Sequence, residues 1–441
     1  MFCCKCGKTI PDDALFCSYC GSRQQVTCGS CGAALATDAV FCHKCGTPVN
    51  RAAAETLASK SFAASGGKVS EHIYGCSEKQ NDLLYVDGKG IYYLNDCNLY
   101  FLAVGESKPK NVTRYHNKDG WSVGLNYYNG ALWFCRHLYA TDDRDCVNNL
   151  IRYDVKTGEK SNFIENLPVS SAQDFADYHR MIVRDGLLYY IWSDYKESYL
   201  MVVDLDSGAI AKREMPRLRN KDVCEEWKTA YREECGSDIS EERPDDPVIF
   251  SGLYLHGDYG YAVHAGYAAF NIRFRLDDPS KFDFLPFNSC SSYKKEAGMI
   301  SVYGDDTLVG CGCYNGEPFA TTPIGPGFVG ESRMHFNMQR DYGVDEYQGI
   351  YGAEDGKGWW RAGSKYFLNR FMVDMEEMKY KKLPFAMFAL DFHEMPDGSV
   401  WIRGSHERTG DDGLYHLPAN CWEKIRMPEE LERYRVCSFW D

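Results

Sequence analysis

Eight of the nine cysteines in the first 45 residues fall into four pairs of fixed spacing: Cys3 and Cys6, Cys17 and Cys20, Cys28 and Cys31, Cys42 and Cys45. They form two units, each a C-x2-C, ten intervening residues and a second C-x2-C. Two thiolate pairs brought together by a short hairpin complete a tetrahedral shell around a soft divalent metal and leave no position open for a substrate. The spacing therefore predicts two zinc ions per chain, both structural. Iron also suits a tetrahedral thiolate set and stands second. A redox dithiol occurs singly beside a βαβ pattern, whereas these four pairs recur in one frame. Disulfides need an oxidising compartment, and Met1-Phe2-Cys3 opens neither a charged nor an apolar targeting region.

The two units repeat with an offset of 25 residues, and the match extends from the cysteines to Gly7 and Gly32, Asp13 and Asp38, Ala14 and Ala39, Phe16 and Phe41, Gly21 and Gly46. Glycine after a knuckle permits the left-handed backbone that turns amides toward thiolate sulfur. Phe16 and Phe41 are among the few large apolar groups available to cover each hairpin, so the fold of these units depends on metal binding, worth roughly 10 to 16 kcal/mol per site in small zinc peptides. On these residues, segment 2–47 resembles the double zinc ribbon at the N-terminus of many bacterial and archaeal proteins. The resemblance implies two sequential four-cysteine zinc sites and a protein-interaction or sensing role. This chain departs from the pattern at Cys4, a spare thiol beside the first site; Cys3 is the expected ligand because it alone restores the x2 spacing.

The rest of the chain is long enough, at 441 residues with 44% apolar and 14% aromatic content, to bury a large core. No apolar run approaches the length of a membrane span. Eleven further cysteines at irregular spacing form no disulfide framework, which points to a reducing cytoplasm. Residues 1–70 carry a formal +3, whereas residues 71–441 carry 42 Lys and Arg against 59 Asp and Glu, a formal −17. Each loaded four-thiolate site contributes −2 overall, so zinc brings the N-terminal part to about −1. Lys5, Lys8, Arg23 and Lys44 are too few to neutralise many phosphates, and the acidic remainder repels them, so no nucleic-acid partner is expected. A protein partner with a basic or mixed face is.

Residues 48–70 read as a linker: Pro48, an Ala-rich stretch and Ser65-Gly66-Gly67, with almost no large apolar residue. From residue 71 to residue 441 the pattern has period two with turn punctuation. Asp87-Gly88, Asn129-Gly130 and Asp185-Gly186 each separate two apolar runs as primed hairpin turns do. A second hairpin type follows, a strand ending in Asp and a tight turn, at Asp154, Asp204, Asp277 and Asp374. Two hairpins make four strands, which is one blade of a propeller. Seven units result, near 82–115, 121–166, 178–216, 247–287, 296–325, 347–384 and 385–428. The fold class is mainly β: two small zinc ribbons plus a β-propeller of about seven blades. Asp397-Gly398-Ser399-Val400-Trp401-Ile402 resembles a strand of several bacterial propellers, and the strand-Asp-x-x-x-Gly element resembles uncharacterised propeller domains behind bacterial zinc ribbons. Neither resemblance carries a function. A helical insertion is expected over 220–236, capped by Asn220, with Val223, Trp227 and Tyr231 on one face.

No catalytic constellation stands out: the S-x-D-x-G-x-x-W box, the G-x-S-x-G elbow, H-E-x-x-H and phosphate loops do not occur. Cys311 and Cys313, with Cys290, are a possible soft-metal set, though buried structural cysteines explain them more simply. His393 and His406 flank a strand of the last unit and could face a central channel. The expected function is a zinc-binding interaction, scaffold or sensor protein; the alternative is a hydrolase or lyase acting at the channel mouth. Convergent carboxylates with a His at that mouth would favour the enzyme. No small-molecule ligand can be named.

Overall fold

The computed structural model describes Tyr19, residues 25–27 and 34–36, and residues 82–438 apart from 87, 141–145, 170–180, 195, 226–227, 230–231, 233–238, 265–270, 286–298, 312–317, 338–358, 369–370, 385–386 and 407–411. At the N-terminus, β1 (Gln25–Thr27) pairs antiparallel with β2 (Ala34–Ala36).

Seven antiparallel sheets follow, each built from consecutive strands. Blade one is β3 (Leu83–Val86), β4 (Gly90–Asn95), β5 (Asn98–Ala103) and β6 (Lys110–Asn111). Blade two is β7 (Gly120–Tyr128), β8 (Ala131–Leu138), β9 (Val147–Asp154) and β10 (Lys160–Ile164). Blade three is β11 (Ile182–Arg184), β12 (Leu187–Ser193), β13 (Ser198–Asp204) and β14 (Ile210–Glu214). Blade four is β15 (Phe250–His256), β16 (Tyr259–His264), β17 (Asn271–Arg275) and β18 (Phe282–Phe284). Blade five is β19 (Met299–Tyr303), β20 (Thr307–Cys311), β21 (Pro318–Gly325), β22 (Phe328–Val329) and β23 (Arg333–Asn337). Blade six is β24 (Trp359–Ala362), β25 (Lys365–Leu368), β26 (Phe371–Asp374) and β27 (Lys379–Lys382). Blade seven is β28 (Met387–Glu394), β29 (Val400–His406), β30 (Gly413–Leu417) and β31 (Arg435–Ser438). The first strands of successive blades adjoin, β3 beside β7, β7 beside β11, β11 beside β15, β15 beside β19, and β28 beside both β24 and β3. They line the axis, and the chain winds outward from them. The protein is a seven-bladed β-propeller.

The core lies between the blades. Along β8, Leu132 and Phe134 pack toward blade one, while Trp133 and Cys135 pack toward blade three. Along β12, Leu188 and Tyr190 pack with blade two, and Leu187, Tyr189 and Ile191 with blade four. A sheet covered on both faces has no solvent side, so its inner strands read as unbroken apolar runs rather than as alternation. The outer strands do face water, and β27, Lys-Tyr-Lys-Lys, is exposed throughout. Polar joints reinforce the packing between blades. Ser193 Oγ donates to the Phe250 carbonyl at 2.6 Å, and the Phe250 N–H donates to Ser198 Oγ at 2.9 Å. Arg273, almost completely buried, pairs with Asp283 at 2.7 Å and donates to the Gly325 carbonyl of blade five at 2.9 Å.

Both hairpin types expected from the sequence occur. Between the first two strands of every blade a glycine adopts positive φ: Gly88, Gly130, Gly186, Gly257, Gly304, Gly363 and Gly398. Between the third and fourth strands the terminal aspartate caps the turn in blades two, three and six, whereas in blade four the strand ends at Arg275 and Asp277 pairs with its guanidinium instead. Asp154 Oδ1 accepts the N–H groups of Lys156 and Thr157, Asp204 Oδ1 those of Asp206 and Ser207, and Asp374 Oδ1 those of Glu376 and Glu377.

Two blades run longer than the sequence pattern indicated. Blade five does not end at Gly325, because β21 turns into the short β22 before its last strand, Arg333–Asn337, returns to pair with β21. Blade seven does not end at Pro428, because 3₁₀ turns at Cys421–Glu423 and Pro428–Tyr434 delay its outer strand to Arg435–Ser438. In the expected helical insertion the Lys228 N–H donates to the Cys224 carbonyl, an i→i−4 bond, and Val223 is buried against blades three and four. Asn220 is not a helix cap: it lies inside a 3₁₀ turn, and its side chain reaches the Arg243 carbonyl at 2.9 Å. Trp227 and Tyr231 lie outside the described residues.

The Asn129-Gly130 and Asp185-Gly186 turns separate two effects of glycine. Both glycines have positive φ, but a Cβ on Gly130 meets nothing within 4 Å, whereas one on Gly186 comes within 2.7 Å of the Tyr128 hydroxyl. Gly130→Ala should cost about 1 kcal/mol through backbone strain alone. Gly186→Ala should cost at least about 1 kcal/mol more, because Tyr128 must move. Urea midpoints at constant m-value test this, and equal shifts for the two variants would contradict it.

Candidate functional site

The first candidate site is the cysteine-rich segment. The register of β1 and β2, with Thr27 opposite Ala34, closes a hairpin whose connection carries Cys28 and Cys31. Soft thiolates are zinc's preferred donors. The expected ligands Cys3, Cys6, Cys17, Cys20, Cys28, Cys31, Cys42 and Cys45 all lie outside the described residues. Among the described residues no group of His, Cys, Asp and Glu is arranged to hold a metal.

The second is a buried charged cluster on the inner strands, where blade seven meets blades one and two. Asp82, just before β3, accepts the N–H groups of Gly124 and Leu125 through Oδ1 at 2.7 and 3.1 Å. The Asp82 N–H donates to Asp391 Oδ1 at 3.0 Å. Asp391 Oδ2 lies 2.7 Å from Arg403 Nε, and Arg403 also donates to the Leu94 carbonyl of blade one. Asp391 is brought into this position by an irregularity in the β28–β29 register between Ala389 and Asp391. All three side chains are buried. Burial, and then the charge on Asp391, push the Asp82 carboxyl up to about 7 against the opposing pull of Arg403 and the Leu125 and Gly124 amides.

The sequence did not single out these three residues, although a signal existed. Asp391 and Arg403 are charged residues within apolar strands, Met387–Glu394 and Val400–His406, and a charge on a two-sided inner strand requires a partner. His406 is buried within blade seven, 2.9 Å from Glu432 Oε1, which also accepts the Tyr415 hydroxyl at 3.3 Å. Burial would raise the Glu432 carboxyl, but hydrogen bonds from His406 and Arg435 bring it below its ordinary value. His393 stands opposite Trp401 in the β28–β29 pair. The Cys290 and Cys313 side chains, and that of Cys311, lie outside the described residues. Asp397-Gly398-Ser399 proves to be a turn, in which Asp397 Oδ1 accepts the N–H and hydroxyl of Ser399.

The third is a cavity of about 510 Å³ between blades six and seven. Its walls are aromatic: Trp360 stacks on Phe367 with ring centroids 3.7 Å apart, and Phe367 meets Trp422 edge-on at 4.9 Å. Leu383, Pro384, Met387, Leu417, Ile425 and Leu431 complete the apolar lining, and Lys381, Lys382 and Arg426, all three exposed, supply its charged part.

Residues 3–46 match the family model of the double zinc ribbon. No curated protein matches the chain. Similar solved structures include the β-propeller domain of the trilobed protease from Pyrococcus furiosus, at 11% identity over 68% of this chain and 81% of that one, TM-score 0.35. TolB from Acinetobacter baumannii is similar at 10% identity over 75% of this chain and 63% of that one, TM-score 0.35. A puromycin-hydrolyzing peptidase of Mycobacterium tuberculosis is similar at 10% identity over 80% of this chain, TM-score 0.45, and this chain spans only 54% of that one. No described helix is long and apolar enough to cross a membrane.

The state of Asp82 has a consequence for stability. In the unfolded chain its carboxyl ionises near 3.8; in the fold it holds its proton until about 7. Between these values the folded state binds the extra proton, so this group's contribution to stability is present at low pH and is lost as pH rises from about 4 to about 7. Asp82→Asn keeps an oxygen to accept the Gly124 and Leu125 amides but cannot ionise. The variant should therefore gain stability relative to the parent as pH rises through that window, and a stability difference independent of pH would rule the assignment out.

Proposed function

We propose that the chain is a zinc-binding interaction or scaffold protein, in which two structural zinc ribbons accompany a propeller that presents a surface to a protein partner. The fate of the convergent carboxylates carries this reading. Asp82 and Asp391 meet on the inner strands, where Asp82 Oδ1 is taken by the Gly124 and Leu125 amides, Asp391 Oδ1 by the Asp82 amide, and Asp391 Oδ2 lies at ion-pair distance from Arg403. A hydrolase or lyase at the channel mouth needs carboxylates turned to substrate and water; these are buried in a joint between blades. The ribbons support the same reading, because four thiolates per zinc fill the coordination shell and leave a ribbon only its surface to offer. Cys3, Cys6, Cys17 and Cys20 would hold one zinc and Cys28, Cys31, Cys42 and Cys45 the other. Cysteine-rich sites of this kind and eleven further unframed cysteines suit a reducing cytoplasm. The acidic balance of residues 71–441 disfavours nucleic acid as the partner.

Elemental analysis of anaerobically purified protein should give two zinc ions per chain, and Cys17→Ser should release one equivalent while leaving the propeller's β-type circular dichroism intact. One zinc or none in the parent protein would exclude the duplicated site. Screens against glycoside, ester, phosphate and peptide substrates should show no turnover. Turnover abolished by changing a single propeller carboxylate, with zinc content unchanged, would overturn the binding reading in favour of an enzyme.

A further inference from the structure

The cavity between blades six and seven combines two features that point to one class of ligand. Its walls include Trp360, Phe367 and Trp422, which pack on one another and are almost wholly buried, so an entering side chain would meet only the apolar area they leave open to the cavity. Its edge is cationic. Lys365 and Lys379 are engaged with Asp374 and Glu377 at 3.4 and 3.0 Å. Lys381 and Lys382, by contrast, have no carboxylate within ion-pair distance among the described residues, and Arg426 gives its guanidinium only to the carbonyls of Glu423 and Ile425. Three cations without a carboxylate partner among the described residues line this one cavity, with Lys381 Nζ 5.6 Å from the Trp422 ring centroid, on a chain of formal charge −14. Lysines on an outer strand keep sheets from joining edge to edge, but that role does not require a cavity beside them or an arginine from the neighbouring blade.

The geometry also bears on the form of the ligand. β27 is the outermost strand of blade six, so the N–H and C=O groups on its outer side point away from the sheet, and it ends at the cavity's mouth with Lys381 and Lys382. An extended polypeptide can run along such an edge and place one side chain in an adjoining pocket. A small molecule would use the pocket alone. We propose that this site receives a large apolar side chain of an acidic partner segment, whose carboxylates pair with Lys381, Lys382 and Arg426. The proposal rests on the binding reading above and names the partner's chemistry.

The test uses the full-length, zinc-loaded protein on an array of random twelve-residue peptides, beside the variant Lys381→Glu/Lys382→Glu/Arg426→Glu. All three positions are exposed, but Arg426 also donates to the Glu423 and Ile425 carbonyls, so the variant's circular dichroism and urea midpoint are compared with the parent's, and the double variant Lys381→Glu/Lys382→Glu serves where they differ. Captured peptides should be enriched in Asp and Glu around Trp, Phe, Leu or Met. Their affinity should fall by at least about tenfold in the variant, and should weaken as salt is raised from about 50 to about 500 mM. Peptides that bind parent and variant alike would sink this site while leaving the protein a binding module. Basic peptides, or no captured peptide, would also overturn it. Cleavage of a captured peptide would instead overturn the binding reading itself.

Discussion

A ring of seven twisted sheets must close on itself, and the rest of the propeller depends on how the last blade meets the first. Blade seven is built from consecutive strands near the C-terminus, β28 to β31, and blade one begins with β3, so among the described residues no strand from one end of the ring completes the sheet at the other. Side chains make the seam. Leu83, Ile91, Tyr93 and Leu102 of blade one pack on Leu414 of blade seven, with Trp401, Val436 and Cys437 at the margin. Beside this cluster, Asp391 takes the Asp82 N–H and Arg403 reaches the Leu94 carbonyl. Apolar packing supplies the area removed from water, but it has no direction; the charged joint fixes the register in which blade seven meets blade one.

The same device appears elsewhere in neutral form. At a register shift in β7, Asn126 reaches from blade two to blade three, donating to the Met181 carbonyl at 2.9 Å and accepting the Val183 N–H at 3.0 Å. An amide both donates and accepts, so it satisfies the next inner strand without charge. At the seam that work is divided. Asp391 accepts from the Asp82 backbone, and Arg403 donates to the Leu94 carbonyl, with the two held together by their ion pair. Asp82 then passes the contact on to Gly124 and Leu125 of blade two. Burial first, and then the presence of two acids beside one arginine, make Asp82 keep its proton to an unusually high pH.

The local half of this architecture was legible in the sequence and the tertiary half was not. Asp-Gly and Asn-Gly turns demand positive φ, and a strand-terminal Asp announces the turn it caps, so hairpins and blade count could be read from Gly130, Gly186, Asp154 and Asp204. Where a blade departs from two plain hairpins the reading ended early, at the β22 excursion of blade five and the 3₁₀ turns of blade seven. The joint between Asp82 and Asp391 spans 309 residues, and periodicity carries no information about which distant strands meet. His406 illustrates the converse: its place at a strand end suggested the channel, but β29 is a second strand, and its side chain is buried against Glu432. Trp360 and Trp422 lie in different blades, so the aromatic wall they share through Phe367 has no signature along the chain.

Net charge is the clearest case in which an average conceals the local arrangement. A formal −17 over residues 71–441 describes the far field, which acts on encounter across roughly a Debye length, about 8 Å at physiological ionic strength. It suggested a basic or mixed partner face. At contact distance the nearest charges dominate, and at the mouth of the outer cavity these are Lys381, Lys382 and Arg426. The acidic partner segment inferred for that site would be repelled by the field of the whole and attracted by the patch. Such opposition slows encounter while leaving short-range pairing intact, so selection between partners would lie in how long the complex survives more than in how fast it forms.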